Sequence, residues 1–285
     1  MKIYDCFIFF NELDILELRL NILHESVDFF VIVEASSTHA GGPKPFYYEE
    51  NKERFKEFHH KIIHHKVYDI PHDFINLPHT TDPQVQFIHK LIEETNLFNR
   101  QDPRHLNFGR DFFHKESVRR ALSICAPSDL ILLSDADEIT NPKTLKNLNL
   151  LDLENFNYSL SQKMYAYYLN MFKEDAWTFP ILGLYKNIKD LSFNELRNNM
   201  SLTKVIPDGG WHFSFMGGEK MVKKKLLSYS HAQEVTPHIL DSISSNMATN
   251  VDPFFRGGLT KTEIDSTFPD YLVRNKEKYS KMIKK

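Results

Sequence analysis

Two cysteines in 285 residues, Cys6 and Cys125, leave this chain without a disulfide framework and without a zinc-ligand spacing. No apolar run approaches the ~20 residues that a membrane-spanning helix needs. The N-terminus, Met1-Lys2-Ile3-Tyr4-Asp5, enters an apolar run at once and lacks a signal-peptide pattern. These absences predict a soluble, cytoplasmic protein with reduced thiols, able at most to associate peripherally with a membrane. The net charge is −3, so nothing electrostatic favours nucleic acid as the main partner. Gly41-Gly42-Pro43-Lys44-Pro45 lacks the Gly-Lys-Ser/Thr pattern of a phosphate-binding P-loop and reads as a plain loop. Internal repeats, low-complexity tracts and a domain linker are missing as well. What remains is ordinary for a globular chain with a real core: 41% apolar and 26% charged residues, with 23 Phe and 12 Tyr.

The apolar pattern predicts an α/β fold. Residues 3–10 read as a buried strand, Leu13, Leu16, Leu20 and Leu23 recur at helical spacing, and Phe29 to Val33 form a second strand. Strand, helix and strand in this order make a βαβ unit with a right-handed crossover. Further along, residues 85–95 and 111–126 read as helices, 158–170 and 179–185 as strands, and 219–228 and 269–285 as helices. Residues 71–110 are irregular and rich in proline, as binding loops are.

Ser134-Asp135-Ala136-Asp137-Glu138 is the stretch with most chemistry in it. The strand-length run Leu130-Ile131-Leu132-Leu133 precedes it, and Asn141-Pro142 follows with a cap residue and a proline at a helix start. Acids at the carboxyl end of a strand in an open α/β sheet lie where such folds bind ligands. Two carboxylates one residue apart can share a hard cation, and Mg²⁺ or Mn²⁺ takes one or two carboxylates plus substrate phosphates. Asp-x-Asp is also a common turn, so its context carries the reading.

Other candidates fall on the same sheet edge. Phe10, Asn11 and Glu12 end the first strand, and Glu34 ends the second. Gly209-Gly210 precede Trp211 and His212; the glycines allow close backbone approach to a ligand, Trp211 offers a flat face to a sugar ring, and His212 an imidazole. The bland reading is a glycine turn entering a core strand. His59, His60, His64 and His65 resemble a metal cluster, but neighbours on a strand point to opposite faces. Lys220, Lys223, Lys224 and Lys225 read as a solvated helix face.

Taken together, these pieces resemble glycosyltransferase family 17, which includes the animal bisecting β-1,4-N-acetylglucosaminyltransferase. The motifs are Phe10-Asn11-Glu12-Leu13-Asp14-Ile15-Leu16-Glu17-Leu18-Arg19, Val33-Glu34-Ala35-Ser36 with Gly42-Pro43-Lys44-Pro45, Asp135-Ala136-Asp137-Glu138-Ile139, and Gly210-Trp211-His212-Phe213-Ser214-Phe215. They occur in the family's order. The resemblance implies a GT-A fold, Rossmann-like, with a mostly parallel central sheet flanked by helices. It implies one catalytic domain over 1–285, with about 1–140 as the nucleotide half and about 141–285 as the acceptor half.

The implied activity is inverting, metal-dependent transfer of N-acetylglucosamine from a UDP-sugar to a glycan hydroxyl. On that template Asp135 and Asp137 hold Mn²⁺ or Mg²⁺, with His212 or His231 completing the shell. Glu138 orients the turn from behind. Phe10, Asn11, Glu12 and Glu34 form the uridine pocket, Arg119 lies near the nucleotide, and Trp211 stacks on a sugar. Asp175, Asp208 and His212 are the candidate bases, Asp175 foremost because it follows the acidic turn in a loop, with Glu174 beside it.

Two other classes fit parts of the pattern. One is a different metal-dependent nucleotide or phosphate enzyme, which would hydrolyse simple phosphate esters. The other is a non-catalytic glycan-binding protein of the same fold, whose sugar binding would ignore both metal and Asp137→Ala.

Overall fold

The computed structural model describes the backbone of residues 1–285 and every side chain except that of Asp175. Its first half follows the apolar pattern closely. Strand β1 (Ile3–Phe9), helix α1 (Leu13–Leu23) and strand β2 (Phe29–Ala35) form the expected βαβ unit, and β1 and β2 pair in parallel. Strand β3 (Ile62–Val67) adds to β2 and strand β4 (Leu130–Asp135) to β1, both parallel. The order β3-β2-β1-β4 reverses direction between β1 and β4. That is the topological switch point at which an open α/β sheet leaves a crevice beyond its strand ends.

Beyond β4 the pairing becomes mixed. Strands β5 (Glu138–Thr140), β6 (Asn157–Ala166), β7 (Met171–Trp177), β8 (Ile181–Leu184), β9 (Thr203–Ser214) and β10 (Thr260–Lys261) complete one sheet of ten among the described residues. Here β6·β9 is parallel, while the β4·β8, β6·β8, β6·β7 and β5·β9 ladders are antiparallel. A parallel sheet thus carries the first half, and a mixed extension carries the second. Two apolar layers cover the sheet. One gathers Phe7, Leu16, Leu20 and Phe213, the other Val31, Val33, Phe112 and Ile131.

Several elements differ from the sequence reading. The acidic turn leads into strand β5 before helix α2 (Pro142–Lys146) begins, and Asn141 caps that helix by accepting from the Lys143 N–H at 3.0 Å. Glu174 and Asp175 lie on strand β7 rather than in a loop. The helix expected over 111–126 starts earlier, at Leu106–Glu116, and continues as a 3₁₀ turn over Ser117–Ala121, and the expected C-terminal helix shrinks to Asp270–Arg274 and a turn at Ser280–Met282. Charged and aromatic residues crowd that tail, and packing rather than helical propensity sets its path. Among the described residues no helix is long and apolar enough to cross a membrane.

The glycine pair has an internal purpose. Gly210 sits at φ +146°, and a Cβ there would meet the Ile139 carbonyl oxygen at 2.1 Å; one on Gly209 would meet Leu160 Cβ at 2.7 Å. The close approach is between β9 and its neighbours β5 and β6, not toward a ligand. Gly210→Ala is expected to cost about 3 kcal/mol through backbone strain and overpacking. Urea unfolding checks this, and a loss below about 1 kcal/mol would contradict it.

Candidate active site

The ends of β1 and β4, the last residues of β9 and strand β7 border a cleft of about 810 Å³. The acidic turn forms its floor. Asp135 ends β4 and Glu138 opens β5, so Ala136 and Asp137 span a tight reversal. Strand β9 pairs with β5 and sets His212 opposite Glu138, and Phe213 N–H donates to the Asp137 carbonyl at 2.8 Å.

Two arginines fix this turn. Arg19, on α1, is fully buried. Its Nη1 donates to the carbonyls of Asp135 at 2.9 Å, Ala136 at 3.2 Å and Glu138 at 2.8 Å, while Nη2 donates to Ser134 Oγ at 2.6 Å. Asp5 neutralises it through both carboxylate oxygens at 2.5 and 2.8 Å. Arg197, on the short helix Phe193–Asn198, works from the cleft side. It donates to Asp135 Oδ2 at 2.9 Å and to Glu138 at 3.0 and 3.2 Å. Glu138 also accepts the Asp135 N–H and the Trp177 indole N–H, each at 2.6 Å. Burial opposes its ionisation, but Arg197, the nearby His212 and the Asp135 N–H outweigh burial and hold the carboxyl below its ordinary range.

Asp137 is buried and doubly engaged. Lys225 Nζ donates to Oδ2 at 2.6 Å and lies 3.5 Å from Glu12; His212 Nε2 is 3.6 Å from Oδ1. Burial alone would raise the Asp137 pKa, yet Lys225 and His212 push it well below the usual carboxylate range. Across the cleft His114 Nε2 bonds the Val33 carbonyl at 3.1 Å, and its Nδ1 faces His39 Nε2 at 3.1 Å. His39 Nδ1 lies 3.4 Å from Asp111, which accepts from Lys115 at 3.0 Å. Burial pushes both histidines down, so at neutral pH they are uncharged and His114 donates from Nε2.

This turn, set at the switch point under a wide cleft, fits the motif order seen in the sequence. The model of glycosyltransferase family 17 matches residues 1–101 and 81–246. The chain belongs to glycosyltransferase family 17. No match is found among curated proteins. Solved structures similar to this family 17 chain include S. aureus TarS 1-349, with 11% identity over 87% of this chain and 71% of that one, TM-score 0.39. Another is 4-diphosphocytidyl-2C-methyl-D-erythritol synthase, with 14% identity over 73% and 89%, TM-score 0.36.

The structure brings together only part of the residue set anticipated for a family 17 enzyme. Phe10, Glu12, Asp135, Asp137 and His212 all line the cleft. Asn11 is buried beside them but is not a lining residue. Glu34 is fully buried behind the cleft-lining Lys44 and accepts from it, from the backbone N–H groups of Tyr47 and Tyr48 and from His64. It ties a loop to β2. Arg119 is likewise structural: it pairs with Glu116 at 2.5 Å, donates to the Lys189 and Leu191 carbonyls at 3.0 Å, and lies over the Phe193 ring.

Trp211 is a core residue, 6% exposed, with its indole N–H on the Thr267 carbonyl at 3.1 Å. Alternation along β9 requires this, since His212 and Ser214 face the cleft and Trp211 and Phe213 face the core. The tryptophan of the cleft is Trp177, tilted against His212 at 4.4 Å and Phe179 at 4.5 Å between ring centroids. Asp208 is exposed, outside the cleft lining, at φ +51°. His231 lines the far rim, paired with Glu234 at 2.9 Å and edge-on to Phe108. It makes no contact with either aspartate among the described residues. The side chain of Asp175 lies outside the described residues, and its neighbour Glu174 lines the cleft, half exposed.

Sequence reasoning missed Arg197, Lys225, Trp177 and the His39–Asp111–Lys115 group. Of His59, His60, His64 and His65, only the last two are on a strand, and among the described residues no group of three or more His, Cys, Asp or Glu side chains has metal-holding geometry. The acidic turn nevertheless offers oxygen donors of the kind a divalent ion takes. Asp135 Oδ1 is buried without a hydrogen-bond partner. At the turn Glu12, Asp135, Asp137 and Glu138 meet Arg197 and Lys225 directly, and Lys44 and Lys115 act on Glu12 and Asp135 from further off. Mg²⁺ and Mn²⁺ bind through one or two carboxylates and take their remaining ligands from water and phosphate.

Proposed function

We propose that this family 17 chain transfers N-acetylglucosamine from UDP-N-acetylglucosamine to a glycan hydroxyl with inversion, with Mn²⁺ or Mg²⁺ held by Asp135 and Asp137. The observation that carries the reading is the acidic turn, clamped by Arg19 and Arg197 at the strand-end crevice, with one Asp135 oxygen buried there without a hydrogen-bond partner. The nucleoside end is assigned to the wall of Phe10, His39 and Asp111, and the acceptor end to Trp177 and strand β7.

When bound, the divalent ion would offset the charge of the diphosphate. A β7 carboxylate, Glu174 or Asp175, takes the proton of the acceptor hydroxyl as its oxygen bonds to the anomeric carbon. The bond from that carbon to the phosphate oxygen breaks on the opposite face, and its electron pair leaves with UDP. The Trp177 indole, fixed by its bond to Glu138, presents an apolar face to the sugar beside His212.

Calorimetric titration of UDP, with and without Mn²⁺, tests the donor end. A panel of UDP-sugars then tests the sugar through release of UDP. Mn²⁺-dependent UDP binding and preferential turnover of UDP-N-acetylglucosamine are expected. UDP that fails to bind under either condition overturns the reading.

A further inference from the structure

Lys225 occupies the place of a cation at the acidic turn. Its Nζ bonds Asp137 Oδ2 at 2.6 Å and stands 3.5 Å from Glu12 Oε1, lining the cleft. No other lysine among the described residues touches the turn. Its neighbours on the same helix are engaged elsewhere: Lys223 with Glu219 at 2.7 Å, and Lys224 with the Tyr47 hydroxyl at 2.7 Å.

The helix that bears it, Gly218–Leu226, is joined to β9 through Gly217 and Gly218, at φ +93° and +82°. A Cβ on Gly218 would meet nothing within 4 Å. An ammonium on a flexible four-carbon stem can change partners without moving the backbone. A divalent ion seated on Asp137 would stand beside that ammonium, and two cations on one carboxylate repel. A donor diphosphate brings new anionic oxygens into the same space.

We propose that Lys225 and the divalent cation compete for Asp137, and that donor binding resolves the competition by drawing Lys225 onto the diphosphate. The proposal rests on the donor reading given above. Lys225 then covers Asp137 in the free protein and holds the departing diphosphate during transfer. No proton needs to move, because Asp137 and Glu12 keep the ammonium charged against the opposing effect of burial. Competition at one site is a negative coupling between ligands, so removal of one competitor must strengthen the other.

The test is Lys225→Met, with Lys223→Met as the control for loss of a helix charge. Mn²⁺ alone, titrated into nucleotide-free protein and followed by electron paramagnetic resonance, should bind Lys225→Met about tenfold more tightly than wild type. UDP at saturating Mn²⁺ should bind it about tenfold more weakly. Lys223→Met should change neither. Added Mn²⁺ should also raise the melting temperature of Lys225→Met more than that of wild type, because at a given concentration a tighter ligand stabilises the folded state more.

Opposite signs in the two titrations support the exchange. Unchanged or weaker Mn²⁺ binding by Lys225→Met overturns it. Tighter Mn²⁺ with unchanged UDP binding overturns the diphosphate half. Wild-type protein that binds Mn²⁺ but not UDP would refute the donor reading, while the Mn²⁺ titration would still decide whether Lys225 covers Asp137.

Discussion

Asp137→Asn is expected to lower sugar transfer about 10³-fold while leaving a folded protein. Asparagine keeps the shape of the side chain, so the reversal between β4 and β5 and the contact with β9 survive. What disappears is a charge that the surroundings work to keep. Lys225 and His212 hold the Asp137 carboxyl well below its ordinary range despite burial. Several kcal/mol of stabilisation of a departing diphosphate, at about 1.4 kcal/mol per factor of ten, gives roughly three orders of magnitude. UDP release from the donor sugar measures the rate, and Mn²⁺-dependent UDP titration separates loss of binding from loss of chemistry. A rate within tenfold of wild type would remove Asp137 from the mechanism.

The same charge has a signature in stability. Asp137 is depressed in the fold, so its contribution is present above about pH 4 and is lost as pH falls through its folded value. Lys225 is raised, so its contribution is full below about pH 10.4 and is lost as pH rises through its folded value. The ion pair therefore stabilises the whole neutral range, and Asp137→Asn should flatten the acid side of a plot of melting temperature against pH.

The sequence was legible wherever local pattern decides structure. The run at Leu130–Leu133, the acids after it and the cap at Asn141 placed the turn at a strand end, on the same sheet edge as the ends of β1 and β2, while the pairing of β4 with β1 is a matter of tertiary order that local pattern does not carry. Strand alternation could have decided one further point. Trp211 and His212 cannot both face a ligand from one strand, so a cleft-facing histidine there consigns the tryptophan to the core. Lys225 and Arg197 were out of reach, because each lies at least 59 residues from the carboxylate it meets, and a basic helix looks the same whether solvated or folded over a site. Glu34 and Arg119 fall outside the cleft lining for the converse reason. A charged residue near a strand end is equally useful for tying loops, and burial with many backbone partners is the mark of that use.

Arg19 is different, for its signal was present. It sits among the buried Ile15, Leu16, Leu18, Leu20, Ile22 and Leu23 of α1, and Asp5 sits inside the apolar run of β1. Two opposite charges on packed apolar elements imply a buried pair.

Arg19→Met is expected to cost 3–5 kcal/mol, the range for breaking a buried ion pair by removing one partner, since Asp5 is left charged and fully buried. Urea unfolding measures that loss. The double variant Asp5→Leu with Arg19→Met removes both charges and should regain most of the stability, as apolar replacement of whole buried pairs often does. Activity should not return with it. The carbonyls of Asp135, Ala136 and Glu138 would still lack the one guanidinium that gathers them, and the aspartates above would lose their fixed spacing. A stable but inactive double variant would identify Arg19 as a positioning residue for the acidic turn. Recovery of stability and transfer together would make it a core ion pair and nothing more.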